Sequence, residues 1–378
     1  MFLVDKRYRR TDTADRWTRT IELSVQVLEP DTWTDQACRE LDALLGMMTG
    51  DRWSISVHRG AQRDPQQRIP FDERAAQVAL FSGGLDSTCY AAQVGNDAAG
   101  PLLLIAYDDW IKTRQRDICD AIQRRARRPL NLRQGAQRPR TKGSGLEQSS
   151  RSRGFLYMAT AVCAAAAHHL TEVAVPENGQ LAINPPLTAS RLGALSTRSV
   201  HPWSIDRLNR VIAAVGGDVT VTNPLLSLTK GEVCELAINA DLTPADLEHT
   251  VSCGNPRAAR RNGGPYHCGH CYPCLIRRSG LLRALGSDPT TYRLDPARID
   301  PDDSRTEHLR ALLQWTSTDF TIRDLIADTP FPDTELPAKV LPTIQRGRRE
   351  LAAMIDQLLP AGSPLRGTWQ PHVLGVGA

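Results

Sequence analysis

The chain has 378 residues, of which 41% are hydrophobic and 23% are charged, and its formal net charge is +4. This length allows two or three compact units, and these fractions are those of a soluble globular protein. The net charge is too small to indicate nucleic acid as the direct substrate, and no apolar run is long enough to span a bilayer. We expect a cytoplasmic protein, because no apolar signal segment follows the basic residues near the N-terminus.

Residues 1–75 are predicted to form a small α+β extension. Alternating apolar and polar residues at 20–27 and 53–58 predict two strands, and residues 34–48 between them have helical spacing. We expect this extension to have a modest core of its own.

Residues 76–290 alternate short apolar runs with segments of helical spacing. The predicted strands are 78–82, 102–108, 130–133, 172–176 and 218–223, and the predicted helices are 85–94, 113–127, 154–169 and 205–215. Such alternation predicts an α/β fold with a parallel, doubly wound sheet. Ligands of such sheets bind at the carboxyl ends of the strands, where we expect Ser82, Asp108 and Glu177.

The segment 78–88 carries the most informative motif of the chain. A buried strand is followed by a serine, two glycines and the start of a helix. Adjacent glycines let the backbone approach an anion closely, and the free N–H groups of the helix's first turn point at that anion. Neighbouring hydroxyls add donors, and an aspartate can hold a metal ion such as Mg²⁺. The arrangement suits a pyrophosphate, and the candidate contacts are Ser82, Gly83, Gly84, Leu85, Asp86, Ser87 and Thr88.

Positive charge is clustered between residues 114 and 140. Such a cluster can bind phosphates or a charged partner. We interpret it as a solvated helix face and loop, because aromatic residues do not interleave with the arginines. The arginines are Arg114, Arg116, Arg124, Arg125, Arg127, Arg128, Arg133, Arg138 and Arg140.

Residues 229–232 have the pattern of a capping box, in which Thr229 and Glu232 satisfy free N–H groups at a helix start. That structural role leaves Lys230 free to point at phosphates. Beyond residue 290, proline and aspartate interrupt helical stretches at 304–316 and 344–359. These stretches predict a helical C-terminal extension over residues 291–378.

Four cysteines have the spacing of a zinc knuckle. Cys268, Cys271 and Cys274 are separated by two-residue gaps, and Cys253 lies upstream. Four thiolates close the tetrahedral shell of a Zn²⁺ ion, which predicts a structural metal rather than a Lewis acid. His267 and His270 are alternatives to one thiol, although we favour loop positions beside the knuckle. We interpret the other cysteines as core residues rather than disulfides: Cys38, Cys89, Cys119, Cys163 and Cys234.

The string Ser-Gly-Gly-Leu-Asp-Ser at residues 82–87 resembles the PP-loop of the N-type ATP pyrophosphatases, which cleave ATP between its α and β phosphates. Together with the knuckle, it resembles the 7-cyano-7-deazaguanine synthase (QueC) family over about residues 76–285. Further similar segments are Arg151-Ser-Arg153-Gly-Phe155, Thr229-Lys230-Gly231-Glu232, Thr250-Val-Ser252-Cys253 and the pair Arg277-Arg278.

Several segments depart from the housekeeping synthase. Residues 255–267 form an insert before the knuckle, and Tyr107-Asp108-Asp109-Trp110 stands where that family has Tyr-Gly-Gln. Residues 176–202 resemble the QueC-like proteins of bacterial anti-phage defence systems, such as the QatC branch. The two extensions are also absent from the housekeeping enzyme.

The resemblance implies an enzyme that uses ATP, Mg²⁺ and Zn²⁺ to adenylate the carboxylate of 7-carboxy-7-deazaguanine. It implies catalytic roles for Asp86 and Lys230, and an acceptor amine that is either ammonia or an amine of a partner protein. Alternatives are a housekeeping synthase, a tRNA-modifying PP-loop enzyme and a catalytically silent zinc- and ATP-binding scaffold of a defence complex. A homo-oligomer is also compatible with the sequence. Candidate substrate contacts are Arg151, Arg153, Glu177, Asn178, Arg198 and His201.

Overall fold

The computed structural model describes residues 1–61, 74–97, 99–107, 111–137, 145–149, 151–185, 187, 198–254, 265–367 and 369–371. Asp108, Asp109, Trp110, Arg138, Arg140 and residues 255–264 of the insert lie outside the described residues. The strands are β1 (Thr20–Val27), β2 (Arg52–Arg59), β3 (Gln77–Leu80), β4 (Leu102–Tyr107), β5 (Leu130–Gly135), β6 (Glu172–Ala174) and β7 (Thr220–Thr222). The α-helices are α1 (Phe2–Arg7), α2 (Asp35–Thr49), α3 (Leu85–Gly95), α4 (Lys112–Gln123), α5 (Arg153–Ala167), α6 (Gly179–Ile183), α7 (Pro202–Ala214), α8 (Lys230–Asn239), α9 (Pro244–His249), α10 (Tyr272–Leu285), α11 (Glu307–Ser317), α12 (Ile322–Ile326) and α13 (Leu336–Leu358).

Five parallel strands form the central sheet in the order β5-β4-β3-β6-β7. The chain runs from β3 to β4 and β5 on one side and then crosses to β6 and β7 on the other. The carboxyl ends of β3 and β6 therefore flank a topological switch point, where doubly wound sheets bind ligands. This topology confirms the predicted α/β fold.

The two faces of the sheet are covered by different helices, because side chains alternate along each strand. Val78, Leu103 and Val173 lie in one hydrophobic cluster with residues of α5 and α7. Ala79 and Leu104 lie in a second cluster with residues of α3, α4 and α8. The helices α3 and α8 therefore lie on the same face of the sheet, and both begin close to its switch point.

The N-terminal extension shares the core of the sheet instead of having its own. The predicted strand-helix-strand unit is present, with β1 parallel to β2. However, Leu41 and Leu45 of α2 and Trp53 of β2 lie in the same cluster as Val78 and Ala161. A two-stranded sheet with one helix has too little apolar surface to close a core alone, which explains the difference from the expectation.

Buried ion pairs join the N-terminal extension to the start of α5. Arg19 contacts the carboxylates of both Asp5 and Asp51, and all three side chains are buried. Arg10 also binds Asp51, with an Nη1 to Oδ1 distance of 2.6 Å. The second oxygen of Asp5 accepts a hydrogen bond from the Ser152 hydroxyl at 2.6 Å. The cluster thus holds the loop before α5 against the extension.

The C-terminal extension packs on α6 and α10 through a third hydrophobic cluster. Leu351 and Ile355 of α13 share this cluster with Leu275 and Ile276 of α10 and with Ile183. The helical character of the extension follows the prediction, but α13 begins at Leu336 rather than at residue 344. The helix continues through Pro342, because packing along α13 outweighs the backbone hydrogen bond that a proline cannot donate.

Two of the cysteines assigned to the core lie elsewhere. Cys89, Cys119 and Cys234 are buried, whereas Cys38 is partly exposed and Cys163 is exposed. On α5 the buried residues are Met158, Ala161 and Ala165, so residue 163 faces away from the sheet. Burial of one helix stripe, rather than the apolar character of the whole segment, decides the position of Cys163.

One arginine of the basic cluster is not on a solvated face. Arg128 is buried, and its guanidinium donates to the backbone oxygen of Gly100 at 2.7 Å and to the Gln77 side chain at 3.0 Å. It therefore fastens the amino-terminal side of the sheet. Within the described part of the chain, no helix is long and apolar enough to cross a membrane.

We predict that Arg19→Leu lowers the free energy of unfolding by about 3–5 kcal/mol, because it leaves Asp5 and Asp51 with less compensation for their buried charges. Urea denaturation measures the change. The matched control is Arg59→Leu, which removes an exposed ion pair with Asp31 and should cost less than about 1 kcal/mol. Equal effects of the two substitutions would contradict a stabilising role of the buried cluster.

Candidate active site at the switch point of the sheet

The loop between β3 and α3 has the conformation of an anion-binding turn. Gly83 has a φ of 76°, which favours glycine, and a Cβ there would lie 2.9 Å from the Gln115 side chain. Gly84 is the N-cap of α3 without any side-chain cap, so the first N–H groups of the helix face the loop. This local geometry is suited to an anion, and the binding of phosphates by the loop stays a prediction.

Hydroxyl groups hold the loop in shape. The Ser82 and Ser87 hydroxyls are 3.1 Å apart, and the Gly84 N–H donates to the Ser82 hydroxyl at 3.2 Å. Ser87 in turn donates to the Gly84 carbonyl at 3.2 Å. The Thr88 hydroxyl is buried and has no hydrogen-bond partner among the described residues. The hydroxyls of Ser82 and Ser87 therefore stabilise the conformation of the loop through hydrogen bonds within the protein.

A buried salt bridge lies directly behind this loop. The Lys230 ammonium donates to Oδ1 of Asp86 at 2.7 Å, and both side chains are almost completely buried. The Asn178 amide donates to the second Asp86 oxygen at 2.9 Å. Asn178 also caps α6, with its side-chain oxygen accepting from the Leu181 N–H. Lys230 is thus not free as expected but paired with the aspartate of the loop.

Electrostatics in this cluster favour one ion pair and one neutral carboxyl. Burial opposes the charge of Asp86, but Lys230 and hydrogen bonds from Glu177 and Asn178 lower the pKa of its carboxyl. Burial also opposes the Lys230 charge, yet Asp86 and Glu177 raise the pKa of this amine. Burial and then the charge of Asp86 raise the pKa of Glu177 well above its usual value. The Asp86 and Lys230 charges therefore stabilise each other, whereas burial and the Asp86 charge favour the protonated form of Glu177.

The four cysteines form a closed cluster beside the loop. Their sulfur atoms lie within 4.8 Å of one another, and Cys253 and Cys271 are 3.9 Å apart. A tetrahedral shell with Zn–S bonds of about 2.3 Å requires sulfur atoms about 3.8 Å apart, which fits. The cluster indicates a structural zinc site, in agreement with the prediction.

The two histidines beside the knuckle contact its surroundings. Burial lowers the pKa of His267 to about 3, so the ring is neutral, and its Nε2 accepts from the Ser252 N–H at 3.3 Å. A hydrogen bond with Cys268 raises the pKa of His270. The metal cluster consists of the thiols of Cys253, Cys268, Cys271 and Cys274 without either ring.

The segment between α9 and the first zinc ligand runs along the phosphate loop. The Val251 N–H donates to the Gly83 carbonyl at 2.8 Å, and the Leu85 N–H donates to the Ser252 hydroxyl at 3.3 Å. Sequence reasoning quoted Ser252 only as part of a motif and missed this contact. The zinc knuckle and the phosphate loop are therefore joined through consecutive residues.

The six predicted substrate contacts lie in different parts of the structure. Glu177 and Asn178 join the Asp86 cluster, as described above. Arg151 and Arg198 instead contact the extensions: Arg151 donates to the Thr49 carbonyl at 2.7 Å, and Arg198 pairs with Asp328 at 3.2 Å.

The other two predicted substrate contacts also have local partners. His201 caps α7 by accepting from the Trp203 N–H, and its ring lies 5.0 Å from that of Phe331. Burial lowers the pKa of His201 to about 3, so the ring is neutral. The Arg153 guanidinium lies 5.8 Å from the ring of Tyr157. Contact of these arginines and His201 with a substrate stays a prediction.

Glu350 is a residue of this region that sequence reasoning missed. It lies on α13 and is buried against the capping box of α8, which has the predicted Thr229 and Glu232 bonds. The Thr229 hydroxyl donates to Glu350 Oε1. Nothing in the local pattern of the C-terminal extension signals this contact, because the two residues are brought together only by tertiary packing.

A glycine turn at a helix start and a four-thiol knuckle on a doubly wound sheet are the architecture expected of the PP-loop class. The family model for the queuosine biosynthesis protein QueC matches residues 201–285. These findings, with the relatives described next, support a QueC-like PP-loop family for this chain, whereas its assignment to the anti-phage branch stays a prediction.

Curated relatives with the name 7-cyano-7-deazaguanine synthase match the chain in different ways. The protein of Pyrococcus abyssi is 34% identical over 93 residues, 24% of this chain and 38% of the relative. That of Pyrococcus furiosus is 33% identical over the same shares. The protein of Methanothrix thermoacetophila is 27% identical over 237 residues, 57% of this chain and 98% of the relative. The chain thus spans less than two fifths of the length of the first two relatives.

We predict that Cys271→Ser abolishes stoichiometric zinc binding and destabilises the protein by several kcal/mol, because metal binding contributes to folding free energy. Metal analysis of the purified protein and thermal unfolding measure both effects. Cys163→Ser, at an exposed cysteine outside the cluster, is the control and should change neither. Full zinc content in the Cys271 variant would refute the four-thiol site.

Proposed function

We propose that this chain is an ATP-dependent enzyme that adenylates the carboxylate of 7-carboxy-7-deazaguanine and passes the product to an amine. The observation that carries the proposal is the buried Asp86–Lys230 pair, at 2.7 Å, behind the glycine loop. Asp86 lies in the first turn of α3, the helix terminus that would face the phosphates of a nucleotide. The substrate class rests on the relatives and their printed name.

Activation of the acid explains the need for ATP. A carboxylate does not accept an amine at neutral pH, because the leaving group would be oxide. Attack of a carboxylate oxygen on the α-phosphorus forms an acyl-adenylate and breaks the bond to the β-phosphate bridging oxygen, which leaves as pyrophosphate. Attack of an amine on the acyl carbon then forms the carbon–nitrogen bond, breaks the bond to the AMP oxygen, and releases AMP and a proton. Atoms and charge balance without any redox partner.

The residues of the chain supply binding and electrostatics rather than covalent chemistry. The positive end of the α3 dipole and the Lys230 ammonium stabilise the charge that develops on the leaving pyrophosphate. The ionised Asp86 carboxylate is suited to hold Mg²⁺, which supplies positive charge to the phosphates when bound. Burial and the neighbouring Asp86 charge raise the pKa of Glu177, which favours its neutral form and so limits the negative charge of the site.

The acceptor amine divides this proposal into two forms. In the form we favour, an amine of a partner protein captures the adenylate within an anti-phage defence system, because residues 176–202 resemble the defence branch and both extensions add surface. In the housekeeping form, ammonia gives an amide and a second ATP converts it to the nitrile. The match over 98% of the Methanothrix relative supports that second form.

Two other candidates have less support. A tRNA thiolation enzyme needs a reactive thiolate, but the hydrogen bond with Cys234 and burial raise the pKa of the Cys89 thiol well above its usual value. A silent scaffold would not need an ion pair buried against an intact phosphate loop, since burial of two charges is costly. ATP turnover separates the scaffold from every enzymatic candidate.

The deciding experiment measures pyrophosphate release from ATP, with and without 7-carboxy-7-deazaguanine, and identifies the products by mass spectrometry. Substrate-stimulated release with a stalled adenylate supports a protein acceptor. Amide or nitrile after addition of ammonia supports the housekeeping form. Absence of any stimulated release would refute the adenylation proposal.

We predict that Lys230→Met lowers substrate-stimulated pyrophosphate release by about 10²- to 10³-fold, because one preorganised charge at the leaving group is lost. Zinc content should stay unchanged, which separates a catalytic loss from misfolding. The control is Lys339→Met, which removes an exposed lysine paired with Glu335. An active Lys230 variant would remove this lysine from the mechanism.

A further inference from the structure

The C-terminal helix α13 contacts the start of α8 through one carboxylate. Glu350 accepts hydrogen bonds from the Thr229 hydroxyl, from the Gly231 N–H at 3.1 Å and from the Arg283 guanidinium at 3.1 Å. Thr229 and Gly231 are the residues on either side of Lys230. Glu350 therefore binds the backbone of α8 at the turn that carries the lysine.

A second contact from α13 reaches the Lys230 backbone through Gln180. The Lys230 N–H donates to the Gln180 side-chain oxygen at 2.9 Å. Gly347 of α13 lies so close to Gln180 that a Cβ on the glycine would be 2.2 Å from the amide carbon. One helical turn of α13 thus supports the lysine from two directions.

Close packing leaves the lysine little freedom. A Cβ on Gly231 would lie 2.9 Å from Glu350 Oε1, and one on Gly280 of α10 would lie 2.3 Å from the Lys230 side chain. Because the backbone on both sides of Lys230 is bonded and its side chain is enclosed, its position depends on α10 and α13 as well as on α8.

We propose that Glu350 is a positioning residue that fixes the start of α8 and thereby holds the Lys230 ammonium against Asp86 and the phosphate loop. The inference rests on the proposed function of the Asp86–Lys230 site. It gives the C-terminal extension a role in the reaction although it contributes no group that touches the nucleotide.

Charge makes this contact dependent on pH. Burial raises the pKa of Glu350 to about 7, although bonds from Thr229 and Gly231 and the charge of Arg283 oppose the shift. As pH falls through about 7, the carboxylate gains a proton and loses acceptor capacity toward these donors. The charged groups around Glu350 are Lys230, Glu232 and Glu235 of α8, Arg283 of α10 and Arg346 of α13.

The test compares Glu350→Gln with Glu335→Gln, which neutralises an exposed glutamate at the start of the same helix. We measure amide hydrogen exchange over residues 228–236 in the zinc-loaded full chain, and substrate-stimulated pyrophosphate release from pH 5.5 to 8.5. In Glu350→Gln, exchange should rise about tenfold or more and kcat should fall about 10- to 100-fold, with the KM for ATP changed less than about twofold.

The pH profile distinguishes positioning from general stability. Wild type should lose activity on acidification through about pH 7, and the Glu350→Gln profile should lack that limb. Glu350→Asp keeps the charge and should retain the limb at reduced kcat. If Glu350→Gln loses zinc or no longer unfolds cooperatively, Glu350→Asp is measured in its place. Amide exchange over residues 228–236 should then rise in Glu350→Asp, and exchange at the wild-type rate would overturn the inference.

The outcomes for Glu350 and for the proposed function are separable. Unchanged exchange and unchanged kcat in Glu350→Gln would overturn the positioning role while leaving the proposed function intact. A wild-type chain without pyrophosphate release would refute the proposed function, yet raised exchange in Glu350→Gln alone would still support the positioning of Lys230.

Discussion

The structure of the site depends on one buried ion pair, between Asp86 and Lys230. Two opposite charges removed from water are tolerated only when they are close together and their remaining hydrogen-bonding groups are satisfied. Asn178 satisfies Asp86 from the end of β6, and the elements around Lys230 hold its backbone. Much of the architecture at the switch point serves to keep these two side chains in contact. A pair of this kind couples α3 to α8 across one face of the sheet.

The extensions are integral to this arrangement rather than appended to it. Apolar residues of α2 complete one face of the central sheet, and the buried Asp5–Arg19–Asp51 cluster binds the loop before α5. The helix α13 packs on α6 and α10 through the third hydrophobic cluster. Both additions contact segments that carry predicted substrate residues, Arg151 in the first case and Arg198 in the second. The core of this chain is therefore larger than the part that resembles its relatives.

Short-range patterns predicted most of the fold, and long-range contacts account for what they missed. The strand-helix alternation, the glycine loop and the knuckle are encoded within a few residues each, so the sheet and the cysteine cluster could be predicted. The pairing of Lys230 with Asp86 and the contact of Glu350 with Thr229 join residues more than a hundred positions apart. Local helix propensity also predicted the wrong start of α13, because tertiary packing extends this helix through Pro342. The stripe of α5 that is buried, and hence the exposure of Cys163, depends on where the sheet lies.

Consecutive residues connect the phosphate loop to the cysteine cluster, so a change at the thiols would reach the loop. Val251 binds the loop backbone, Ser252 binds the start of α3, and the next residue is the first cysteine of the cluster. The buried Arg277 of α10 donates hydrogen bonds to the Thr250 hydroxyl and the Leu247 carbonyl, and so joins α10 to the chain just before the first cysteine. Oxidants or competing chelators that attack the thiols would therefore disturb the nucleotide site directly, without first unfolding the sheet. Under the proposed function, zinc supply and thiol redox state would in this way set how much of the protein is competent to bind ATP.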